Sequence, residues 1–159
     1  VAALRPTPDR VRETLFNWLG QDLADRTTLE PFAGSGVLSL ESLSRGATLA
    51  VAVDRDAATI ERLRTNAADF VLDRLEAARG DALAWRARET RRFDAIFLDP
   101  PYAFDAWEEL FALCAPRLAA GGFVYAESGR ALAPPAGYVL HREGRAGHVH
   151  YHLLRRDGA

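Results

Sequence analysis

The sequence predicts an α/β domain: a doubly wound, mostly parallel sheet that ends in an antiparallel β-hairpin. Three observations predict it. Strand-like and helix-like segments alternate five times along the chain, the order that builds a parallel sheet with crossover helices. The turn Phe32-Ala33-Gly34-Ser35-Gly36 sits between a strand and a helix. Two short strand-like runs joined through glycines close the chain, as in a hairpin.

Asp9 is placed to cap a first helix through Val11, Leu15, Phe16, Trp18 and Leu19, with Gly20 at its end. A short strand runs from Thr27 toward Phe32, and Pro31 should stop it by Glu30, because proline cannot donate to a ladder. After the glycine turn, Val37, Leu38, Leu40 and Leu43 mark a helix closing at Gly46. Leu49 to Val53 is a continuous apolar run ending in Asp54, the pattern of a strand buried on both faces. A helix from Ala57 to about Asp69, a weak strand from Leu75 to Arg79 and an Arg-rich exposed helix after Gly80-Asp81 follow. Phe93 to Leu98 is the clearest buried strand. A helix from about Asp105 to Leu118, a strand from Phe123 to Ala126, and strands at Tyr138–Arg142 and His148–Leu154 complete the chain.

With 159 residues, 48% of them hydrophobic and 26% charged, the chain makes one domain with a single sizeable core. The expected unit is residues 1–159, a monomer, since no long apolar stretch is left for an interface. Cys114 is the one cysteine and lies among Leu110, Phe111 and Leu113, so it reads as a buried core residue in a cytoplasmic protein. No window approaches the roughly 18 apolar residues of a membrane span. The chain begins with Val1 and contains no methionine, so residues upstream are expected to be missing. The net charge of −2 argues against indiscriminate nucleic-acid coating, yet the ends are basic. Arg5, Arg10 and Arg12 stand against Asp9, and Arg142, Arg145, Arg155 and Arg156 against Glu143. Brought together in space they would make a local nucleic-acid footprint, with Arg10 and Arg145 as substrate contacts.

Ligands of doubly wound sheets bind beyond the carboxyl ends of the strands, where strand order reverses. Two motifs stand there. In Phe32-Ala33-Gly34-Ser35-Gly36 the glycines allow a sharp turn and close ligand approach. A dinucleotide enzyme wants a third glycine where this chain has Ser39. Asp54, at the end of the second strand, is placed to accept from ribose hydroxyls, which nicotinamide nucleotides and S-adenosylmethionine share. The second motif, Asp99-Pro100-Pro101-Tyr102, follows the best strand. Its prolines impose a stiff extended turn. Asp99 and the Pro100 carbonyl are suited to accept both hydrogens of an exocyclic amine, and Tyr102 offers a face for a base drawn out of its stack. Two such acceptors favour a pyramidal nitrogen whose lone pair attacks a sulfonium methyl in line.

These motifs resemble those of class I S-adenosylmethionine-dependent amino-methyltransferases, with their Rossmann-like sheet. The resemblance narrows further. Leu4 to Asn17, Leu43-Ser44-Arg45-Gly46-Ala47 and Phe93 to Tyr102 resemble segments of bacterial RsmD-type methyltransferases, over essentially the whole chain. That family methylates the guanine N2 amine at one site of small-subunit (16S) ribosomal RNA. Its short N-terminal basic β segment is absent from this chain. The resemblance implies S-adenosylmethionine as cofactor, no metal, and small-subunit RNA or the assembling subunit as partner. It puts Glu30, in place of the commoner Asp, near the cofactor's amino-acid end. Phe32, Ala33, Gly34, Ser35 and Gly36 would flank the cofactor, Asp54 and Arg55 would lie at the ribose, and Asp81 with Ala82 at the adenine edge. Arg5 and Thr7 would pack across the site.

Other readings are weaker. His148, His150 and His152 alternate along one strand face, but alternate residues stand roughly 6–7 Å apart, too far for three imidazoles to meet one ion. A solvent-facing, partly cationic stripe is expected instead. The Arg86, Arg88, Arg91 and Arg92 run reads as a solvated helix face, and Trp18, Trp85 and Trp107 as core or half-buried residues. A DNA adenine or cytosine amino-methyltransferase shares the chemistry but needs recognition elements beyond this sheet. A nicotinamide oxidoreductase leaves Asp99 to Tyr102 without a task. A ribosome-assembly factor without turnover would have no reason to retain them.

Overall fold

The computed structural model describes residues 8–67, 69–85, 89–101 and 103–158. Helix α1 (Asp9–Leu19) buries Val11, Leu15 and Phe16, one face at helical spacing. Pro8, not Asp9, holds the cap position. Asp9 is already the first helical residue, and its carboxylate pairs with Arg12 at 3.1 Å. The helix ends at Gly20, whose φ of 104° few other residues would adopt. Strand β1 (Thr27–Glu30) stops just before Pro31.

Helix α2 (Val37–Ser44), strand β2 (Leu49–Asp54) and helix α3 (Ala57–Asn66) follow. The Asp56 side chain caps α3 by accepting from the Ala58 N–H at 3.2 Å. Helix α3 stops short of the expected Asp69, and a separate turn, α4 (Asp69–Leu72), precedes strand β3 (Leu75–Arg79). Helix α5 (Ala82–Trp85) follows Gly80-Asp81 as expected, residues 89–92 of the Arg-rich segment are non-helical, and Arg86 and Arg88 lie outside the described residues. Arg91 and Arg92 are exposed, and Arg91 is also ion-paired, with Glu76 at 2.6 Å and Glu89 at 2.7 Å.

Strand β4 (Phe93–Leu98) has the expected bounds, because an apolar run of that length fits only a strand buried on both sides. Helix α6 (Trp107–Cys114) is shorter than expected. Pro116 sits in a 3₁₀ turn, Ala115–Arg117, and turns the chain into strand β5 (Leu118–Ser128). Leu118, which looks like the last apolar turn of the helix, instead pairs with Phe93. The next partners are Phe123 and Ala95, so residues 119–122 bulge out of the ladder. Strands β6 (Tyr138–Ala146) and β7 (Val149–Arg156) are longer than expected and leave only Gly147 and His148 between them. Gly144 belongs to the ladder opposite Tyr151, where a Cβ would come within 2.4 Å of the ring.

Among the described residues the seven strands form one sheet in the order β3-β2-β1-β4-β5-β7-β6. Strands β1 to β5 are parallel, and β7 runs antiparallel to both β5 and β6. The chain winds outward from β1 through β2 to β3, then returns to β4 on the other side. Strand order therefore reverses between β1 and β4. One sheet face packs Phe97, Tyr125 and Leu153 beneath α1 and α2. The other packs Ile96, Leu98, Val124 and Leu154 against Trp107, Leu110, Phe111 and Cys114 of α6.

Candidate active site

At that reversal the carboxyl ends of β1, β2, β3 and β4 enclose a cavity of about 840 Å³. Its floor is the turn after β1. Pro31 has ended the strand, and the chain folds back through Gly34 (φ 54°) and Gly36 (φ 74°) into α2. The Gly34 N–H donates to Asp54 Oδ2 at 3.0 Å, fastening the turn to the end of β2. Glu30, Phe32, Ala33, Gly34 and Ser35 line the cavity. Gly36 does not. A Cβ there would lie 2.3 Å from Leu63 Cδ1, so this glycine lets α3 pack against the turn instead of admitting a ligand.

Asp54 and Arg55 also line the cavity. Asp54 Oδ1 accepts from the Asp56 N–H at 3.0 Å, so each oxygen takes one backbone donor and retains a lone-pair site for a ligand hydroxyl. After β3, the Gly80 N–H donates to the Asp54 carbonyl at 2.9 Å, which brings Asp81 and Ala82 to the wall. Asp81 caps α5 by accepting from the Leu83 N–H at 3.0 Å. Opposite the glycine turn stand Asp99, Pro100 and Pro101. Phe104 donates its N–H to the Pro101 carbonyl at 2.9 Å and stacks edge-on against Phe32, with centroids 5.6 Å apart. The two motifs thus meet through an aromatic bridge, which Trp107 extends at 5.4 Å from Phe104.

Glu30 lines the cavity at 3% exposure. Burial pushes its carboxyl up to about 8, against the two donations from Ser39. Glu127, at the end of β5, is buried too and accepts from the Tyr125 hydroxyl at 2.8 Å. Among the described residues the cavity lining carries Glu30, Asp54, Asp56, Asp81 and Asp99 against Arg55. Such a lining suits a ligand bearing cations and hydroxyl or amine donors. It repels a pyrophosphate, and a nicotinamide dinucleotide loses its footing here.

Several expected site residues fall elsewhere. Arg5, Thr7 and Tyr102 lie outside the described residues. Arg10 and Arg145 are exposed and do not line the cavity. The first turns of α1 and the tip of the hairpin nevertheless reach this end of the sheet. Arg12 lies in a shallow depression with Ser35 and Val37, and the pairing of Ser128 with His150 and of His150 with Arg145 sets the hairpin tip beyond the end of β5.

The histidine stripe does not form. His148 is exposed, His150 is half-buried and His152 is buried, with Nδ1 2.9 Å from the Ala126 carbonyl and Nε2 accepting from the Leu132 N–H at 3.0 Å. Desolvation lowers its pKa, so it is a neutral bridge between strands. No group of His, Cys, Asp and Glu suited to a metal ion occurs among the described residues. Sequence reasoning missed Phe104, Leu83 and Glu127. Phe104 was accessible from its place just after the proline turn, whereas Glu127 gains meaning only from the β4–β5 pairing.

A switch-point cavity floored by a glycine turn, acidic at each strand end and rimmed by Asp99-Pro100-Pro101, defines the class: a doubly wound domain of the methyltransferase fold. The chain belongs to the family described as Conserved hypothetical protein 95, whose model matches residues 1–155. It is 38% identical over 159 residues to "Ribosomal RNA small subunit methyltransferase D" of Escherichia coli (strain K12), covering 97% of this chain and 80% of that one. The solved yhhF chain of Escherichia coli superposes with a TM-score of 0.87 at 36% identity, over 98% of this chain and 90% of that one. An RNA methyltransferase from Salinibacter ruber, solved with S-adenosyl-L-homocysteine, shares the fold at a TM-score of 0.70 and 19% identity, over 94% and 92% of the two chains. The RsmD-type resemblance in the sequence is therefore a family relationship.

Proposed function

We propose that this chain transfers a methyl group from S-adenosylmethionine to the exocyclic N2 amine of a guanine in small-subunit (16S) ribosomal RNA. The observation that carries the reading is the acid-lined cavity at the β1–β4 reversal with Asp99 and Pro100 on its rim. The name of the Escherichia coli relative supports the RNA substrate. The residues present fit the cofactor. Glu30 suits its ammonium group, Asp54 and Arg55 its ribose, and Asp81, Ala82 and Leu83 its adenine. When bound, the cofactor supplies an already activated methyl on a sulfonium, so the chain's own work is alignment, charge stabilisation and exclusion of water.

Asp99 and the Pro100 carbonyl accept the two amine hydrogens and turn the nitrogen lone pair toward the cavity. As bond formation proceeds, positive charge grows on that nitrogen, and the Asp99 carboxylate stabilises it. The Asp99 carboxylate need not be a strong base, because the amine proton becomes acidic only on alkylation. The family resemblance assigns Tyr102 to the base and Thr7 and Arg5 to the cofactor, and the exposed Arg10 and Arg145 suit phosphates. The unit is a single-domain, cytoplasmic monomer. Small ribosomal subunits, naked ribosomal RNA and duplex DNA offered side by side with labelled S-adenosylmethionine test the reading. Label in N2-methylguanosine from an RNA sample is expected; label only in methylated adenine or cytosine of DNA would overturn the substrate.

A further inference from the structure

Ser39 stands where dinucleotide-binding turns carry their third glycine, and its side chain is fully buried. It does not line the cavity, so it touches no ligand there. What it touches is Glu30. Its hydroxyl donates to Glu30 Oε1 at 2.6 Å, and its N–H donates to the same oxygen at 3.1 Å. That N–H is one of the first-turn donors of α2 that lack a partner within the helix, and no side chain at Gly36 caps them. Glu30 reaches across from β1 to do so. Both donors converge on Oε1, which leaves Oε2 for the cavity that Glu30 lines.

We infer that Ser39 is a positioning residue for the amino-acid end of the cofactor: it fixes Glu30 through Oε1 and so aims its second oxygen at the ligand's ammonium group. Burial favours the protonated carboxyl of the cofactor-free protein, the two donations from Ser39 favour the ionised one, and an ammonium placed against Oε2 draws it to the carboxylate. Without the hydroxyl the acid loses the shorter of its two bonds and its fixed orientation. A neutral or misdirected carboxyl attracts an ammonium only weakly.

The inference rests on the cofactor reading above, and its test separates the two. Calorimetric binding of S-adenosylhomocysteine, which carries the ammonium, is compared with that of 5′-methylthioadenosine, a nucleoside thioether lacking the amino-acid end. In Ser39→Ala the first compound is expected to weaken about tenfold while the second changes less than about twofold. Glu30→Gln should show the same selectivity, and Ser39→Cys, nearly isosteric with a weak donor, should fall between Ser39→Ala and the parent. Equal weakening of both compounds, or no change in either, would make Ser39 a packing residue and overturn the inference. If the unaltered protein binds neither compound, the cofactor reading itself fails and takes the inference with it. Melting curves confirm that each variant folds; should Ser39→Ala not fold, Ser39→Cys carries the comparison.

Discussion

At Glu30 the fold holds a carboxyl where water cannot solvate it, and stability records this. Its pKa rises from 4.5 to about 8, chiefly through desolvation, with Asp54 and Glu127 adding repulsion and Ser39 opposing. Between those values the folded chain carries a proton that the unfolded chain has released, so stability falls as pH rises through that window. The cofactor-free protein should lose on the order of 5 °C in Tm between pH 5 and 8. Glu30→Gln should flatten that slope, and parallel slopes for the two proteins would refute the assignment. At Asp99 the expectation concerns turnover. Asp99→Ala should keep S-adenosylhomocysteine affinity within about threefold and reduce methyl transfer on the order of a hundredfold; rapid-quench transfer assays check it. The cavity positions of Asp54 and Asp99 were legible in the sequence, because one ends a strand and the other directly follows one. The Glu30–Ser39 pair was not, since it spans the turn between β1 and α2 and depends on the depth of burial there.

Strands β2 and β4 could be read almost to the residue, because each is a largely apolar run bounded by charge, and β3, a weaker signal, is placed by the Gly80-Asp81 turn that follows it. The stretch from α6 to β5 could not. Leu118 satisfies helical periodicity, and only its pairing with Phe93 makes it a strand residue. The hairpin misled in the same way: Gly144 looks like a turn but yields its side-chain space to Tyr151. Gly36 belongs to this scale as well, since its missing side chain serves the packing of α3 on the turn. Gly36→Ala combines an unfavourable positive φ with a clash at Leu63. It should cost roughly 2–3 kcal/mol, read as a lower urea midpoint at unchanged m-value. A midpoint equal to the parent's would show that α3 shifts freely.

For the whole molecule, a net charge of −2 conceals a division of labour. The cavity is acidic, whereas exposed arginines of α1 and the hairpin belong to elements that meet on one sheet face, where Trp18 of α1 packs against Tyr151 of β7 at 5.4 Å. The sequence showed two basic ends; the strand order sets Arg145 at the hairpin tip and Arg155 and Arg156 at the far end of the same ladder, so the second cluster does not gather at one place. Arg10→Glu with Arg145→Glu should weaken ribosomal RNA association several-fold and lower its salt dependence, leaving S-adenosylhomocysteine affinity unchanged. Filter binding at two or more salt concentrations decides it.

The five carboxyl groups around Arg55 also govern exchange. On the proposed reaction the incoming nucleoside carries a sulfonium and the departing one a neutral thioether, while both keep the same ammonium and hydroxyls. The cavity therefore discriminates by charge at the very atom that reacts. On that reading the acidic lining favours the charged donor over the neutral product, and the same carboxyl edge that frames the cavity also bears on which nucleoside occupies it.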